Sequence, residues 1–469
     1  MRNHGFFLRL ALVNLVRNRR FYGPYLLSCG GTAAMYDMLR FLAGTEVLAS
    51  VRGAAYLQSM MAVGCAVAAL FSGVILLYAN SFVMKRRQRE LGVYHVLGLE
   101  KRHLARVMGW ETLLCAAAVL ALGLAGGIFL SRFLPPLLLK LVHLPVDFQF
   151  FVSGKAAWET VTLFLVLFAL TLGVNLFRMS RSRPVELLRS AQTGEREPRT
   201  KRLLALTGVA ALGGGYGLAV TIQDPVAAMV WFFGAVGLVM LGTYCLFTAG
   251  SIVLLKGLRA NQHFYYQTRH FTAVSGLLYR MKQNAAGLSN ICILSTMVLV
   301  TVSTTACLYL GLQEIITAQA ARLQTVERTA LAQEYYAMYG GFLFLGLVLG
   351  GLFLLTTALI IYYKQLSEGY EDQRRYQILE QVGMTPDEVG ASIRSQILLV
   401  FFLPLGMAGL HLLAAAPMLC RMLELFGLRN APLFAACAAG TLLVFCAVYT
   451  LVFVMTARTY RRVVSQRGV

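Results

Sequence analysis

Runs of about 20 apolar residues recur along the whole chain and decide what it can fold into. A helix needs a run of this length to cross a bilayer, because lipid offers no hydrogen-bond partners to exposed backbone groups. Of the 469 residues, 58% are apolar and 13% are charged. In soluble domains, about 45–50% of the residues are apolar and about 25% are charged. We therefore predict an all-α polytopic membrane protein with about ten transmembrane helices.

The first of these predicted spans is the weakest, since Asp37 and Arg40 lie near its outer end. At a spacing of three residues the two side chains can pair on one helix face, which would lower the free energy of burying them. In chain order, the approximate bounds of the predicted spans are 21–43, 58–84, 108–133, 157–178, 203–222, 226–255, 285–312, 338–363, 391–413 and 433–456.

The basic residues predict the orientation of the chain in the membrane. Of the 42 Lys and Arg residues, 33 lie in the two termini and in alternate loops between the spans. Because Lys and Arg are retained in the cytoplasm during insertion, this side is predicted to be inside, with the N- and C-termini cytoplasmic. We therefore attribute most of the net charge of +21 to topology, helped by anionic lipid, and expect no nucleic-acid partner. Arg9 and Arg17 interrupt the first apolar stretch, so no cleaved signal peptide is expected.

The sequence contains no motif for phosphate binding, metal binding or redox chemistry. It has no GxxxxGK[ST] loop, no HxxxH or HExxH pair and no CxxC pair, so we expect no enzyme activity, cofactor or metal. The nine cysteines are predicted to pack as small apolar residues. His411 is predicted to be packed or hydrogen bonded within a span, and Asn80, Asn175 and Asn290 are predicted to bond between helices. Glu111 is expected near the inner interface, in contact with solvent.

Two predicted inside loops, residues 89–114 and 374–399, align without a gap at an offset of 285 residues. Each follows a strong span, runs as an amphipathic helix, breaks at a glycine (Gly98 or Gly383) and restarts as a helix that enters the next span. Glycine suits the left-handed position that ends a helix, and Thr-Pro-Asp-Glu at 385–388 forms a capping box. The residues alone leave two interpretations open, a repeated bent helical pair or two ordinary interfacial helices.

A duplication at this offset would relate spans two to four to spans eight to ten. We then predict a first transmembrane half at 1–178, a linker with spans five and six at 179–264, and a second half at 265–469. Membrane proteins with internal repeats usually place their function at the interface between the halves.

Four stretches of the sequence resemble a known family. SFVMKRRQRELGVYHVLGLEKRHL at 81–104 resembles the FtsX-like permease superfamily, whose members carry a basic-acidic segment of this kind just after a span. MSRSRPVELLR at 179–189 resembles the proline-containing end of the same module. The second copy at 362–399 is more divergent and lacks the Leu-Gly pair of the first. GLLYRMKQNAAGLSNICILSTMVLV at 276–300 is similar to the ten-span bacitracin-efflux-type permeases of Gram-positive bacteria.

The resemblance implies two FtsX-like four-helix halves, spans 1–4 and 7–10, in an ABC transporter permease of the bacterial plasma membrane. It implies a separate ATP-binding subunit, bound as a homodimer on the cytoplasmic face. The substrate class would be antimicrobial peptides removed from lipid-linked cell-wall intermediates, or reported to a sensor kinase. The helices at 86–106 and 371–391 would couple the permease to the ATPase. The candidate coupling residues are Arg89, Leu97, Gly98, Leu99, Arg374, Val382, Gly383 and Met384.

The connection between spans seven and eight departs from this family, whose members usually carry a large extracellular domain there. Here the place holds about 25 residues, at 313–337. The sequence therefore leaves open a minimal permease that acts at the membrane surface and a regulatory partner of another protein. Two other functions remain as alternatives, a non-transporting sensor scaffold and an ion-coupled secondary transporter. The second would need intramembrane charges or broken helices at matching positions in the two halves.

Leu97→Asp and Val382→Asp are each predicted to uncouple ATP hydrolysis from the permease without preventing membrane insertion. Each substitution places a charge on a face that is expected to pack against the ATPase. The measurements are the ATPase rate of the reconstituted complex and membrane fractionation of the variant chains. Wild-type coupling in both variants would show that the coupling segments are wrongly assigned.

Overall fold

The regular structure of the described residues is entirely helical, as predicted. The computed structural model describes residues 4–45, 54–143, 152–181, 202–261, 263, 268–320, 325–381 and 386–464. The helices are α1 (His4–Arg17), α2 (Arg19–Ala43), α3 (Ala54–Val96), α4 (Lys101–Leu141), α5 (Gly154–Arg181), α6 (Arg202–Thr221), α7 (Pro225–Cys245), a π-helical turn (Leu246–Gly250), α8 (Ser251–Ala260), α9 (Thr268–Leu310), α10 (Leu312–Ala320), α11 (Thr325–Gln381), α12 (Pro386–Leu425) and α13 (Ala431–Val464).

Nine helical segments within the described residues are long and apolar enough to cross a membrane. They correspond to predicted spans two to ten, which confirms a multi-pass membrane protein. Helix α12 covers the predicted span 391–413 and continues to Leu425. The apolar segments are Ala55–Lys85, Lys101–Leu141, Gly154–Arg181, Arg202–Thr221, Pro225–Ala260, Ala285–Leu310, Ala332–Leu366, Val400–Leu425 and Ala431–Arg458.

The first predicted span also forms a helix, α2, although it is more polar than these nine. The predicted pairing of Asp37 with Arg40 is wrong. The Arg40 guanidinium instead pairs with Glu159 of α5, and Asp37 accepts a hydrogen bond from the Thr160 hydroxyl at 3.0 Å. Both side chains of α2 lie on the face that meets α5, so that the polar groups of the neighbouring helix satisfy them. The free energy of burying these groups is thus offset by contacts with α5 and not by a contact within α2.

Small residues bring α2 and α4 close together. A Cβ added at Gly123 would collide with the Cβ of Ala33, and one added at Gly127 would collide with Asp37. The spacing of these two glycines is the small-xxx-small pattern that permits close approach of helices in membranes. The opposing atoms include the Cβ atoms of Ala33 and Asp37, which do not move when a side chain changes its rotamer. Neither collision could therefore be relieved without moving a helix.

Contacts divide the chain into two compact units. Unit 1 comprises 1–195 and 324–359, and unit 2 comprises 196–323 and 360–469. Unit 1 therefore contains α1 to α5 with the first part of α11. Unit 2 contains α6 to α10, the rest of α11, α12 and α13. The three-part division of the chain drawn from the repeat stays a prediction.

In unit 1, the start of α11 packs against α3 and α4. The rings of Phe71 and Phe353 meet edge to face with centroids 4.5 Å apart. A Cβ added at Gly340 would lie 3.1 Å from the carbonyl oxygen of Leu141. These contacts place α11 beside the end of α4 that lies opposite to Lys101.

In unit 2, α6 and α7 form a tight helical hairpin. The side chain of Asp224 accepts a hydrogen bond from the Ala227 N–H at 2.7 Å, with Pro225 at the first helical position, which is a favourable start for a helix. A Cβ added at Gly242 would lie 2.8 Å from the backbone nitrogen of Leu212. Glycine at this position lets the backbones of the two helices touch.

Gly123→Ala is expected to destabilise unit 1 by about 1–3 kcal/mol, because the new methyl group meets Ala33 with no room to move. Gly109→Ala is the matched control in the same helix, since nothing lies within 4 Å of a Cβ at that position. The control should be neutral or stabilising by up to about 1 kcal/mol. The melting temperatures of the two variants in detergent test this, and equal values would contradict the close approach of α2 and α4.

Candidate functional site

The predicted helix break at Gly98 is present in unit 1. Helix α3 ends at Val96, and Gly98 adopts a left-handed backbone conformation with φ of +95°. The N–H of Leu99 donates to the carbonyl of Tyr94 at 3.0 Å, and the N–H of Gly98 donates to that of His95 at 3.1 Å. This pair of bonds is a Schellman motif, which satisfies the last carbonyls of the helix. The glycine thus ends α3 as predicted.

The break carries two exposed apolar side chains, Val96 and Leu97, which form its tip. Val96 is 67% exposed and Leu97 is 75% exposed. The tip lies between the apolar segments that end at Lys85 and begin at Lys101, so it stands outside the membrane-spanning part. Adjacent exposed apolar side chains on a rigid turn are suited to contact with another protein. The exposure also means that a change at Leu97 affects few contacts within the chain.

The remaining predicted coupling residues lie in less fully described parts of the chain. Arg89 lies in α3 and Arg374 in α11, and their side chains are outside the described residues. The three residues of the second break, Val382, Gly383 and Met384, are outside them as well. Helix α11 is described to Gln381 and α12 from Pro386, and the predicted second break between them lies outside the described residues.

A buried ion pair lies behind the first break. The guanidinium of Arg87 binds both carboxylate oxygens of Glu111, one of them at 2.8 Å, and the two residues are 2% and 4% exposed. Asn14 of α1 donates to the same carboxylate at 2.9 Å, and Arg87 donates to the Tyr22 hydroxyl at 3.0 Å. The expectation that Glu111 contacts solvent is therefore wrong. Side chains from four helices, α1 to α4, therefore meet around this ion pair.

The charge on Arg87 is stabilised by its neighbours. Burial by itself lowers the pKa of the guanidinium, but the nearby Tyr22 and the carboxylate of Glu111 outweigh burial, so that the pKa of Arg87 is raised. The guanidinium of Arg87 therefore stays ionised. Planar, two-point contact of this kind between Arg and a carboxylate also fixes the relative orientation of α3 and α4.

Asn14 connects the ion pair to the break. The hydroxyl of Tyr94 donates to Asn14 at 3.0 Å, while the amide of Asn14 donates to Glu111. The carbonyl of Tyr94 in turn accepts the N–H of Leu99 at the turn. A continuous set of hydrogen bonds therefore runs from the buried carboxylate to the exposed tip.

Sequence reasoning missed Arg87, Asn14 and Tyr22. One signal could have found the arginine: an acidic residue, Glu111, enters a predicted membrane span and needs a cation from a neighbouring helix. The basic run at 85–89 precedes it across a single break. The choice of Arg87 among its basic neighbours needs the three-dimensional arrangement.

Polar residues inside the spans form helix-to-helix contacts, as predicted. Asn80 and Asn175 exchange two hydrogen bonds between α3 and α5, at 2.9 and 3.0 Å. In unit 2, the Tyr216 hydroxyl and Nδ1 of His411 are hydrogen bonded at 2.6 Å. Thr243 already donates to the Val239 carbonyl, so its oxygen accepts from Nε2 of His411 at 3.0 Å. The imidazole of His411 is therefore packed and hydrogen bonded between α6, α7 and α12, as predicted.

Comparison with known proteins finds a family match in unit 1. Residues 62–184 match the family of the FtsX-like permease C-terminal domain. The match begins in α3, includes the break at Gly98 and the Arg87–Glu111 pair, and extends beyond α5. The chain therefore carries an FtsX-like permease domain within a multi-pass membrane protein, which confirms the resemblance seen in the sequence.

Three relatives of the chain are permeases named from Bacillus subtilis (strain 168). It is 28% identical over 296 residues to the bacitracin export permease protein BceB, an alignment that covers 59% of this chain and 44% of BceB. It is 25% identical over 278 residues to the ABC transporter permease YvcS, with 59% and 43% covered. It is 27% identical over 286 residues to the ABC transporter permease protein YxdM, with 60% and 44% covered. The alignments span less than half the length of each relative.

Glu111→Leu is expected to lower the stability of unit 1 by about 3–5 kcal/mol, because it removes the buried carboxylate that binds Arg87 at two points and leaves only the partly exposed Glu90, 3.4 Å from the guanidinium. The double variant Arg87→Met, Glu111→Leu should regain most of this loss, since no buried charge remains and Glu90 keeps its contact with Arg17. The loss in the single variant and the recovery in the double variant are measured as shifts of the melting temperature in detergent.

The matched control is the exposed pair of Arg102 with Glu100, whose side chains are 87% and 60% exposed. Arg102→Met should change stability by no more than about 1 kcal/mol. A double variant that is as unstable as Glu111→Leu would show that the ion pair itself, and not the avoidance of an unpaired charge, holds the four helices.

Proposed function

We propose that this chain is the permease subunit of an ABC transporter. It couples ATP hydrolysis by a separate ATPase to the movement or removal of a membrane-associated substrate. The observation that carries the proposal is the rigid turn at Gly98, which presents Leu97 outside the membrane from within the FtsX-like permease domain. The names of the relatives support the same function.

The geometry behind the turn suits transmission of force. The Schellman motif at Gly98 leaves little freedom for the tip to move alone. The hydrogen bonds through Tyr94 and Asn14 join the tip to Glu111 and so to α1 and α4. A push on Leu97 would therefore displace packed helices instead of being absorbed by a loop. Packed cores pass on such displacements because they do not deform continuously.

We infer that the ATPase binds as a homodimer, with one copy at each break. The alignment of residues 89–114 with residues 374–399 supports this, because it predicts a second docking segment. A symmetric dimer requires two docking sites on one permease chain. The breaks face the cytoplasm in this proposal, with both termini on the same side of the bacterial plasma membrane, as the distribution of Lys and Arg predicts.

We propose resistance to antimicrobial peptides as the physiological role, by analogy with the relative named for bacitracin export. Helix α10 (Leu312–Ala320) follows directly after α9 in unit 2, and α11 begins at Thr325 in unit 1. This short connection supports a substrate that is handled at the membrane surface and not in a large outer domain. A sensor kinase would be the second partner if the complex also reports peptide. Loss of signalling with resistance unchanged would favour the sensor role over transport.

An ATPase is expected to copurify with the wild-type chain from detergent-solubilised membranes and to be lost in the Leu97→Asp, Val382→Asp double variant. The added carboxylates would be buried without partners at the two docking sites. Mass spectrometry of the eluted proteins identifies an ATPase by its phosphate-binding loop.

Leu425→Asp provides the matched control. Leu425 is an exposed leucine close to Gly427, the other glycine with positive φ among the described residues, and it lies near the end of α12. It lies on the predicted outer side, so this variant should keep the ATPase. Equal loss in the control would indicate general damage to the fold. Retention of the ATPase by the double variant would refute docking at the two breaks.

A further inference from the structure

A cavity of about 330 Å³ opens beside the first break in unit 1, between α3, α4 and α5. Its rim carries three cations, Lys85, Lys101 and Arg178. The described residues that line it include no carboxylate. The full lining is Ser81, Met84, Lys85, Gln88, Leu91, His95, Lys101, Leu104, Asn175, Arg178 and Met179.

The cavity lies near the predicted inner ends of the second and fourth spans. These predicted spans end at 84 and 178, next to Lys85 and at Arg178. The ammonium of Lys101 reaches the carbonyl of Ser180 beside them, so the three cations lie close to the predicted inner boundary of the hydrocarbon layer. A phosphate of the adjacent leaflet lies at the same boundary.

Neighbouring groups hold two of the cations in place. Arg178 donates to the hydroxyl of Ser81 at 2.8 Å, a neutral partner that leaves the guanidinium its full charge and further donors. Lys101 donates to the carbonyl of Ser180 at 2.9 Å, which keeps its ammonium at the rim. The basic rim is thus a fixed feature of the helix ends and not a set of independent side chains.

The lining combines two kinds of chemistry. The buried side chains of Leu91 and Leu104 and the half-buried Met84 give the cavity an apolar floor, and the cations surround its mouth. A soluble anion would use the rim alone. A molecule with a phosphate joined to an apolar body would use both parts.

We propose that this cavity binds the phosphate headgroup of an anionic phospholipid, with the start of the acyl chains against the apolar floor. Lys85, Lys101 and Arg178 contact the phosphate, and Gln88 offers its amide to the rest of the headgroup. The inference does not depend on an ATPase partner. Since the site adjoins the break, an occupied cavity would brace the ends of α3 and α4 on either side of Gly98.

The test uses the purified full chain and native mass spectrometry, with phosphatidylglycerol and phosphatidylcholine of identical acyl chains titrated separately. One phosphatidylglycerol per chain should be retained in preference to phosphatidylcholine. The Lys85→Gln, Lys101→Gln variant should bind it about thirtyfold more weakly, because each Lys near an anionic headgroup contributes about a factor of five. The Lys140→Gln, Lys155→Gln variant should bind like the wild type. These two exposed lysines lie at the opposite ends of α4 and α5.

Three results would overturn the proposal. Equal retention of the two lipids would remove the headgroup specificity. Inorganic phosphate that displaces phosphatidylglycerol at equal concentration would assign the cavity to a soluble anion. Unchanged lipid binding in the Lys85→Gln, Lys101→Gln variant, together with loss of an associated protein, would make the basic rim part of a protein docking surface.

Discussion

The buried pair of Arg87 and Glu111 is the interaction on which the rest of unit 1 depends. Two charges at the edge of a membrane span are tolerable only when each meets the other and the remaining oxygens and N–H groups find partners. Asn14 and Tyr22 supply those partners, so that four helices share one polar centre. An apolar contact would hold the same helices with less directional specificity. Ionic contact with two-point geometry selects one arrangement of α3 against α4, and that arrangement sets the position of the turn at Gly98.

The repeat does not reproduce this centre in the second half of the sequence. At the offset of 285 residues, Arg87 corresponds to Asp372 and Glu111 to Gln396. These two residue types cannot form the same ion pair. The residues behind the first break and the residues that the repeat aligns with them therefore differ in chemistry. In the proposed complex, two identical ATPase subunits would act on one braced docking site and on one that is stabilised in another way.

Polar groups within the membrane segments are used for packing throughout the part of the chain that the structure describes. Asp37 and Arg40 bind side chains of α5, Asn80 and Asn175 bind each other, and His411 binds the hydroxyls of Tyr216 and Thr243. These contacts join neighbouring helices at single points, and no continuous polar path among the described residues links one of these groups to the next.

The sequence alone determined the all-α class, nine of the membrane segments, the end of α3 at Gly98 and the start of α12 at Pro386. These features are local, because span length, hydropathy, a left-handed glycine and a proline at the first helical position act within one or two turns. Only the tertiary structure decided the pairing of Arg40 with Glu159, of Glu111 with Arg87 and Asn14, and the meeting of Lys85, Lys101 and Arg178 at one cavity. Such pairings depend on which helix lies beside which and on its rotation. The hydropathy of a span indicates neither its neighbouring helices nor its rotation, because lipid and protein neighbours are equally apolar.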